Sequence, residues 1–296
     1  MKKKKFYWPH FFGYIIFFIA VFFISFASES LAKKTPACLS IEWPHEKSDL
    51  SPAPELVFGK LPNGFRYVLM ENHEPRDRVS LHLNVQAGSL HEKDEQRGLA
   101  HYLEHMLFNG SEHFAPGELV KYFQSIGMAF GADANAHTGY DETVYDVLLP
   151  TGDKESLEKG LLAIQDYARG ALLLESEIER ERGIILAEKR TRDSAGYRTH
   201  VASMNFLFSG TLLPQRMPIG TEAVIKGANH SLLKDYYDAW YRPENMILVM
   251  VGDFKTTLAE SLIKSRFTAL EPGVPPRTCP DLGKVRHKGT KTFYHF

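Results

Sequence analysis

The spacing of apolar and polar positions changes several times along this chain, which predicts a mixture of strands and helices. Apolar and polar residues alternate from Val79 to Ala87, as in a strand with one buried face. Other strands are predicted near Phe65–Met70, after a turn at Leu61–Gly64, and at Thr143–Leu149 and Met246–Val251. Helical spacing marks four other segments, near Glu118–Ile126, Leu157–Leu174, Leu232–Trp240 and from Ser176 to about Phe208.

This order predicts an α+β fold in which a mixed or antiparallel sheet is packed on one side by helices, a two-layer sandwich. The long pattern from Ser176 contains Gly183 and Gly196, where a bend or interruption is expected. The chain has 296 residues, of which 44% are hydrophobic, so residues 55–270 can bury a sizeable core. We expect these residues to form one large domain.

The first 32 residues have the composition of an export signal. Lys2–Lys5 precede an apolar run from Phe11 to Ala27, and Ser30-Leu31-Ala32 supplies small residues where a signal peptidase reads them. Cleavage is favoured over an uncleaved membrane anchor, for which the run is near the lower length limit. We therefore expect export, to the periplasm in a bacterium, with residues 33–54 as a flexible segment after the signal.

Charge argues against nucleic acid as a partner. Residues 1–32 carry four lysines and one glutamate, so their removal would change the formal net charge from −1 to −4. No strongly basic surface is expected on the remaining chain. The two cysteines, Cys38 and Cys279, lie in the flanks far from any histidine cluster, and we expect unpaired thiols rather than zinc ligands or a disulfide.

The segment His101-Tyr102-Leu103-Glu104-His105 carries the clearest chemistry of the chain. In a helix, with about 100° per residue, His101, Glu104 and His105 share one arc, and an apolar face lies opposite. Imidazoles at i and i+4 suit zinc, and a carboxylate beside a metal-activated water can act as general base. The order HxxEH inverts the better-known HExxH and is a known catalytic zinc motif. The alternative is a pair of surface histidines that arose by chance.

A third protein ligand is expected on another element. The predicted helix near Glu177–Glu188 offers several carboxylates, and its sequence alone does not choose among them. Glu181 and Glu188 share a face but lie about 10 Å apart along the axis, so we do not expect one zinc ion to be bound by both. For most of these glutamates a solvated helix face is the better interpretation.

Three motifs in this order resemble the pitrilysin/insulinase family of zinc metallopeptidases. They are HYLEH, NAHTGYDETVY and ERGIILAE, and the resemblance extends from Leu56 to Phe254 and more loosely to Phe267. It implies that His101, His105 and Glu188 bind one zinc ion per chain, that Glu104 is the catalytic base, and that Glu181 supports the site.

The resemblance also places Asn135 and Ala136 on an edge strand, where an extended substrate would add as a further strand. Without it, Asn135 is better interpreted as an ordinary strand-end or turn residue. His137 and Gly139 depart from the family pattern, which leaves substrate preference open. Members of the family are clamshells of two similar halves, and this sequence matches only the first domain.

The C-terminal residues 271–296 are expected to be a linker and the truncated start of a following domain. Pro272, Pro275, Pro276 and Pro280 are typical of a linker, and Thr292–Phe296 begins a strand-like run. The sequence is therefore interpreted as a fragment, in preference to a chain whose missing domains come from a partner subunit.

Two functions follow. The first is an exported zinc endopeptidase that hydrolyses peptides or unfolded segments. The alternative is a catalytically inactive peptide-binding or assembly subunit.

Two further features have open interpretations. Phe108 would either wall the site against water or contact the sheet, and the basic run Lys189, Arg190 and Arg192 would either contact substrate or, as we prefer, serve as support or surface charge.

Overall fold

The computed structural model describes residues 42–294. The expected export segment and Cys38 lie outside these residues. Among the residues described, no helix has both the length and the apolar character required to cross a bilayer. The described cysteine, Cys279, is exposed and forms no disulfide.

A six-stranded sheet organises the fold. Its strands are β1 (Val57–Lys60), β2 (Arg66–Glu71), β3 (Val79–Val85), β4 (Ala134–Thr138), β5 (Thr143–Leu149) and β6 (Met246–Gly252). Their order in the sheet is β1-β2-β6-β3-β5-β4. The β2–β6 pair is parallel and the other pairs are antiparallel, so the sheet is mixed, and β4 forms one edge.

Eight α-helices lie within residues 42–294. They are α1 (Leu99–Met106), α2 (Glu118–Ser125), α3 (Lys154–Arg169), α4 (Glu175–Arg192), α5 (Ala195–Leu207), α6 (Glu222–Gly227), α7 (His230–Trp240) and α8 (Thr256–Phe267). Short 3₁₀ turns occur at Pro44–Lys47, Ser89–His91, Asp94–Gln96, Leu213–Gln215 and Pro243–Asn245.

The helices cover one face of the sheet. Along β3, Leu81 and Leu83 are fully buried, whereas Ser80 and His82 between them are only partly buried. The buried side chains of the strands belong to one hydrophobic cluster with those of the helices. The predicted α+β architecture, with helices packed on one side of a mixed sheet, is confirmed.

The predicted strands are present, and the main differences concern helix ends. The helix expected at Leu157–Leu174 begins three residues earlier, because Asp153 caps it by accepting a hydrogen bond from the Ser156 amide, and it ends at Arg169. The long pattern from Ser176 is interrupted at Asp193–Ser194 and not at either glycine. Ser194 caps the following helix by accepting from the Tyr197 amide, which starts a new helix there.

Some elements were missed because their sequence signals are weak. Strand β1 and helices α6 and α8 were not predicted, and β1 and α6 have only four and six residues. Residues 271–294 contain no helix or strand apart from an isolated bridge between Thr211 and Gly283. The described part of the expected strand-like run, Thr292–Tyr294, therefore forms no strand.

Candidate metal centre

The two histidines lie on α1, hereafter the histidine helix. This helix begins after Gly98, whose φ of 106° is in the region that favours glycine. The carboxyl group of Glu92 accepts hydrogen bonds from the amides of Gly98, at 3.0 Å, and Ala100, at 2.8 Å. Glu92 thereby satisfies amides that a helix start leaves unpaired. The apolar residues of the predicted buried face, Leu99, Leu103 and Met106, are fully buried, so packing fixes the helix beneath its histidines.

The predicted ligands come together in space. Oε2 of Glu188 lies 3.5 Å from Nε2 of His101 and 3.6 Å from Nε2 of His105. The three ligand atoms all lie within 4.8 Å of one another. Glu188 comes from α4, hereafter the glutamate helix, so two separate helices contribute to one cluster.

This cluster fits a zinc ion. Zinc binds imidazole nitrogen and carboxylate oxygen at about 2.0–2.2 Å, and its catalytic sites keep one of four positions open. Ligand atoms separated by about 3.5 Å can surround one ion at those bond lengths. Burial lowers the pKa of His101, which keeps the ring neutral and able to bind metal. Its Nδ1 atom is buried and has no hydrogen-bond partner among the described residues, so Nε2 is the atom that faces the cluster.

Glu181 contacts the other nitrogen of His105 instead of the cluster itself. Its Oε1 lies 2.8 Å from Nδ1 of His105, and its Oε2 accepts a hydrogen bond from the Asn109 amide group. Burial lowers the pKa of His105, but the hydrogen bond to Glu181 and nearby carboxylates together raise it above its ordinary value. A carboxylate in this position fixes the ring orientation and tautomer of a metal-binding histidine.

Glu104 lies on the same helix and is almost fully buried. Burial raises the pKa of its carboxyl group, and a hydrogen bond from Thr138 opposes that shift. The Thr138 hydroxyl donates to Oε2 of Glu104 at 2.6 Å. Thr138 was not singled out from the sequence, although it lies within the NAHTGYDETVY motif, because only the tertiary contact relates the edge strand to Glu104.

Asn135 and Ala136 lie on β4 at the edge of the sheet. The Asn135 side chain accepts a hydrogen bond from the Ala136 amide, at 2.9 Å, and donates to the Gly131 carbonyl. Both residues line a cavity of about 300 Å³ together with Glu104 and His105. The edge strand and the candidate metal centre thus border the same space.

Phe108 contributes to both of its expected roles. It lines the cavity and packs edge-on against Phe130, with ring centroids 5.1 Å apart. It also packs against the buried rings of Tyr145 and Tyr167. The cavity wall is therefore continuous with the hydrophobic core.

Two residues of the basic run after Glu188 are bound within the protein. The Lys189 ammonium donates to the Gly220 carbonyl at 2.7 Å. Arg192 forms an ion pair with Oε1 of Glu188, on the side of the carboxylate away from the histidines. These contacts favour support of the site over direct contact with a substrate.

Two family models match this chain. Residues 67–206 match the model described as insulinase (peptidase family M16), and residues 228–294 match the model described as the peptidase M16 inactive domain. All of the candidate site residues, from His101 to Glu188, lie within the first match.

Relatives of known name support the same grouping. The probable zinc protease PqqL of Escherichia coli K12 is 38% identical over 216 residues, which are 73% of this chain and 23% of the relative. The protein of that name from Haemophilus influenzae is 34% identical over 236 residues, which are 80% of this chain and 25% of the relative. The chain thus spans about a quarter of the length of these relatives. The crystal structure of the first half of the periplasmic protease PqqL from E. coli matches with a TM-score of 0.74 at 36% identity, and covers 79% of this chain and 50% of that one.

Proposed function

Because this chain belongs to the insulinase family of peptidases, M16, we propose that it is the metal-binding domain of an exported zinc endopeptidase that cleaves peptides or unfolded protein segments. His101, His105 and Glu188 would hold the zinc ion, and Glu104 would act as general base. The observation that carries this proposal is the approach of Glu188 to both imidazoles from a separate helix.

Each of the protein residues at the site would have a separate role in hydrolysis. When bound, zinc would supply the Lewis acid that polarises the scissile carbonyl and activates a water molecule. The Glu104 carboxylate would take the proton from the attacking water and later deliver it to the leaving amine. Thr138 would orient that carboxylate through its 2.6 Å hydrogen bond, and Glu181 would hold the His105 ring.

The edge strand and the cavity indicate how a peptide would be held. An extended peptide could add to β4, where the Ala136 amide donates to the adjacent Asn135 side chain, and could replace that bond with its own carbonyl. The cavity beside Glu104 has walls formed by Phe108 and Phe130 and would accept an apolar side chain of the substrate. Backbone pairing would provide affinity and the cavity a side-chain preference.

Location and partners are part of the proposal. The export signal proposed for residues 1–32 agrees with the E. coli relative, whose structure is described as that of a periplasmic protease. Further domains would complete the cleft over the metal, either in the same polypeptide or from a partner subunit, since the relatives are about four times as long as the matched region. The formal charge of the exported chain supports peptides rather than nucleic acid as partners.

The alternative is an inactive subunit that binds peptides without cleaving them. Its support is the match of residues 228–294 to the model described as an inactive domain. That match contains none of the candidate site residues, whereas both histidines, the base and Glu188 are present in the other. The intact set favours the peptidase.

Zinc content and cleavage of a quenched, unfolded peptide test the proposal on the chain together with the further domains that complete the cleft. We expect about one zinc ion per chain and measurable cleavage. Glu104→Gln should retain zinc but lose cleavage by about 10²–10⁴-fold, the range for a general base. Glu179→Gln, on an exposed glutamate that pairs with Arg182, serves as control and should change neither. Peptide binding with bound zinc but without cleavage would instead support the inactive subunit.

A further inference from the structure

The histidine helix and the glutamate helix are hydrogen-bonded to each other at one end only, as far as the described residues show. The Tyr102 hydroxyl donates to the Ile178 carbonyl, and Glu181 contacts His105. Arg180 reaches Asn109, just beyond the histidine helix. Glu188 lies seven residues after Glu181, about 10 Å farther along the axis at 1.5 Å per residue. These contacts therefore do not reach the turn that carries Glu188.

A loop connects the glutamate helix at that turn to the residues just before the histidine helix. We call this segment, Met217–Thr221, the linking loop. Its Gly220 carbonyl accepts a hydrogen bond from the Lys189 ammonium at 2.7 Å. Its other side meets the start of the histidine helix, where the Thr221 amide donates to the Arg97 carbonyl at 3.2 Å. The loop thus contacts the residue next to Glu188 and the residues just before the histidine helix.

Close backbone packing makes the contact between the linking loop and the start of the histidine helix rigid. A Cβ atom on Gly220 would lie 2.3 Å from the Gly98 Cα atom and 2.5 Å from the Arg97 carbonyl oxygen. Gly220 also has a φ of 66°, which glycine adopts most readily. Two glycine backbones therefore meet without side chains between them, and any displacement of the loop would be transmitted to the start of the histidine helix.

Lys189 joins the linking loop to the glutamate helix. It is half-buried. Its ammonium donates to a backbone carbonyl, and no carboxylate within residues 42–294 lies within ion-pair distance of it. A hydrogen bond from a charged group to a fixed carbonyl is stronger than one between neutral groups.

We propose that the linking loop sets the distance between Glu188 and the two imidazoles, with Lys189 and Gly220 as positioning residues for the metal. The inference rests on the proposed function, because it takes Glu188 as a zinc ligand. Neither residue touches the ligand cluster. Each acts by holding one of the two helices relative to the other.

The test uses Lys189→Met, which keeps most of the aliphatic side chain and removes the donor. Zinc affinity, measured by competition with a chelator, should fall by about 10- to 100-fold, the range for groups that hold ligands in place. Lys189→Arg should restore most of the affinity because arginine can also donate to the Gly220 carbonyl. Arg190→Met, on the exposed neighbouring residue, is the matched control and should leave the affinity unchanged.

Hydrogen exchange of the metal-free chain gives a second readout that does not depend on zinc. Lys189→Met should accelerate exchange of the amides in residues 186–192, and Arg190→Met should not. Unchanged zinc affinity in Lys189→Met would overturn the proposal, with or without faster exchange. A wild-type chain that bound no zinc would overturn the proposed function as well, and the exchange result would then show separately whether the loop holds the helix.

Discussion

The two helices that meet at the candidate metal centre are held in different ways. The histidine helix has eight residues, of which seven are buried. The glutamate helix has 18 residues, of which only Glu177, Ile178, Glu181 and Ile185 are buried. The first helix positions its side chains by packing within the core. The second depends on individual contacts, from Glu181 to His105 near its middle and from Lys189 to the linking loop near its end.

The largest effect is expected from the residue that joins the two helices through the metal. Glu188→Gln should weaken zinc binding by more than the 10–100-fold typical of a lost supporting group, because an amide replaces an anionic ligand. Zinc affinity measured by chelator competition checks this, with Glu179→Gln as the control on the same helix. A larger loss in Glu181→Gln than in Glu188→Gln would assign the third ligand to Glu181 instead.

The difference in packing should appear as a difference in stability. Leu103→Ala removes a fully buried side chain from the histidine helix and should lower the free energy of unfolding by about 2–5 kcal/mol. Ile184→Ala, on the glutamate helix, removes a side chain that is 50% exposed and should cost no more than about 1 kcal/mol. Denaturant unfolding of the metal-free chain measures both. Similar losses would contradict the comparison.

The same contrast explains which parts of the site could be predicted from sequence. The histidine helix was predicted because its apolar spacing and its candidate metal-binding and catalytic residues lie in one short segment. The glutamate helix has no continuous apolar face, and its many carboxylates are equivalent in sequence. The resemblance to a family was needed to choose Glu188, whose placement beside both imidazoles depends on contacts between distant segments.

Other features were missed because they arise only in the folded chain. The interruption after Arg192 comes from the cap formed by Ser194, although glycine was expected to cause it. Thr138 and Glu92 contact the histidine helix from a strand and a loop, and neither contact has a periodic signal. Gly220 is an isolated glycine in sequence, and its role depends on its distance from Gly98.

A smaller effect is expected at the contact between the middle of the glutamate helix and the histidine helix. Glu181→Gln should weaken zinc binding by about 10- to 100-fold, because the amide oxygen can still accept from His105 but carries no charge. The loss should be smaller than that in Glu188→Gln. Asn109→Ala removes the other partner of Glu181 and should produce a weaker loss in the same assay.

The last prediction concerns the pH dependence of stability at the start of the histidine helix, where a titratable group is buried. Burial raises the pKa of Glu92 to about 8, although the amides of Gly98 and Ala100 oppose the shift. In the unfolded chain the carboxyl ionises near 4.5, so the folded chain binds a proton more tightly. This contribution to stability is complete below about pH 4.5 and is lost as the pH rises towards 8.

Glu92→Gln should therefore reduce the decrease in the free energy of unfolding between pH 5 and 8. This holds even where the substitution changes the stability at any single pH. Unfolding free energies measured across that range test this, and Glu175→Gln, on an exposed residue at the start of the glutamate helix, is the control. If Glu92→Gln kept the wild-type slope of stability against pH, the Glu92 carboxyl would be ionised in the folded chain. The helix amides that donate hydrogen bonds to it would then stabilise its charge. The histidine helix would then begin on a permanent negative charge, which helix starts favour, and burial would not control its protonation.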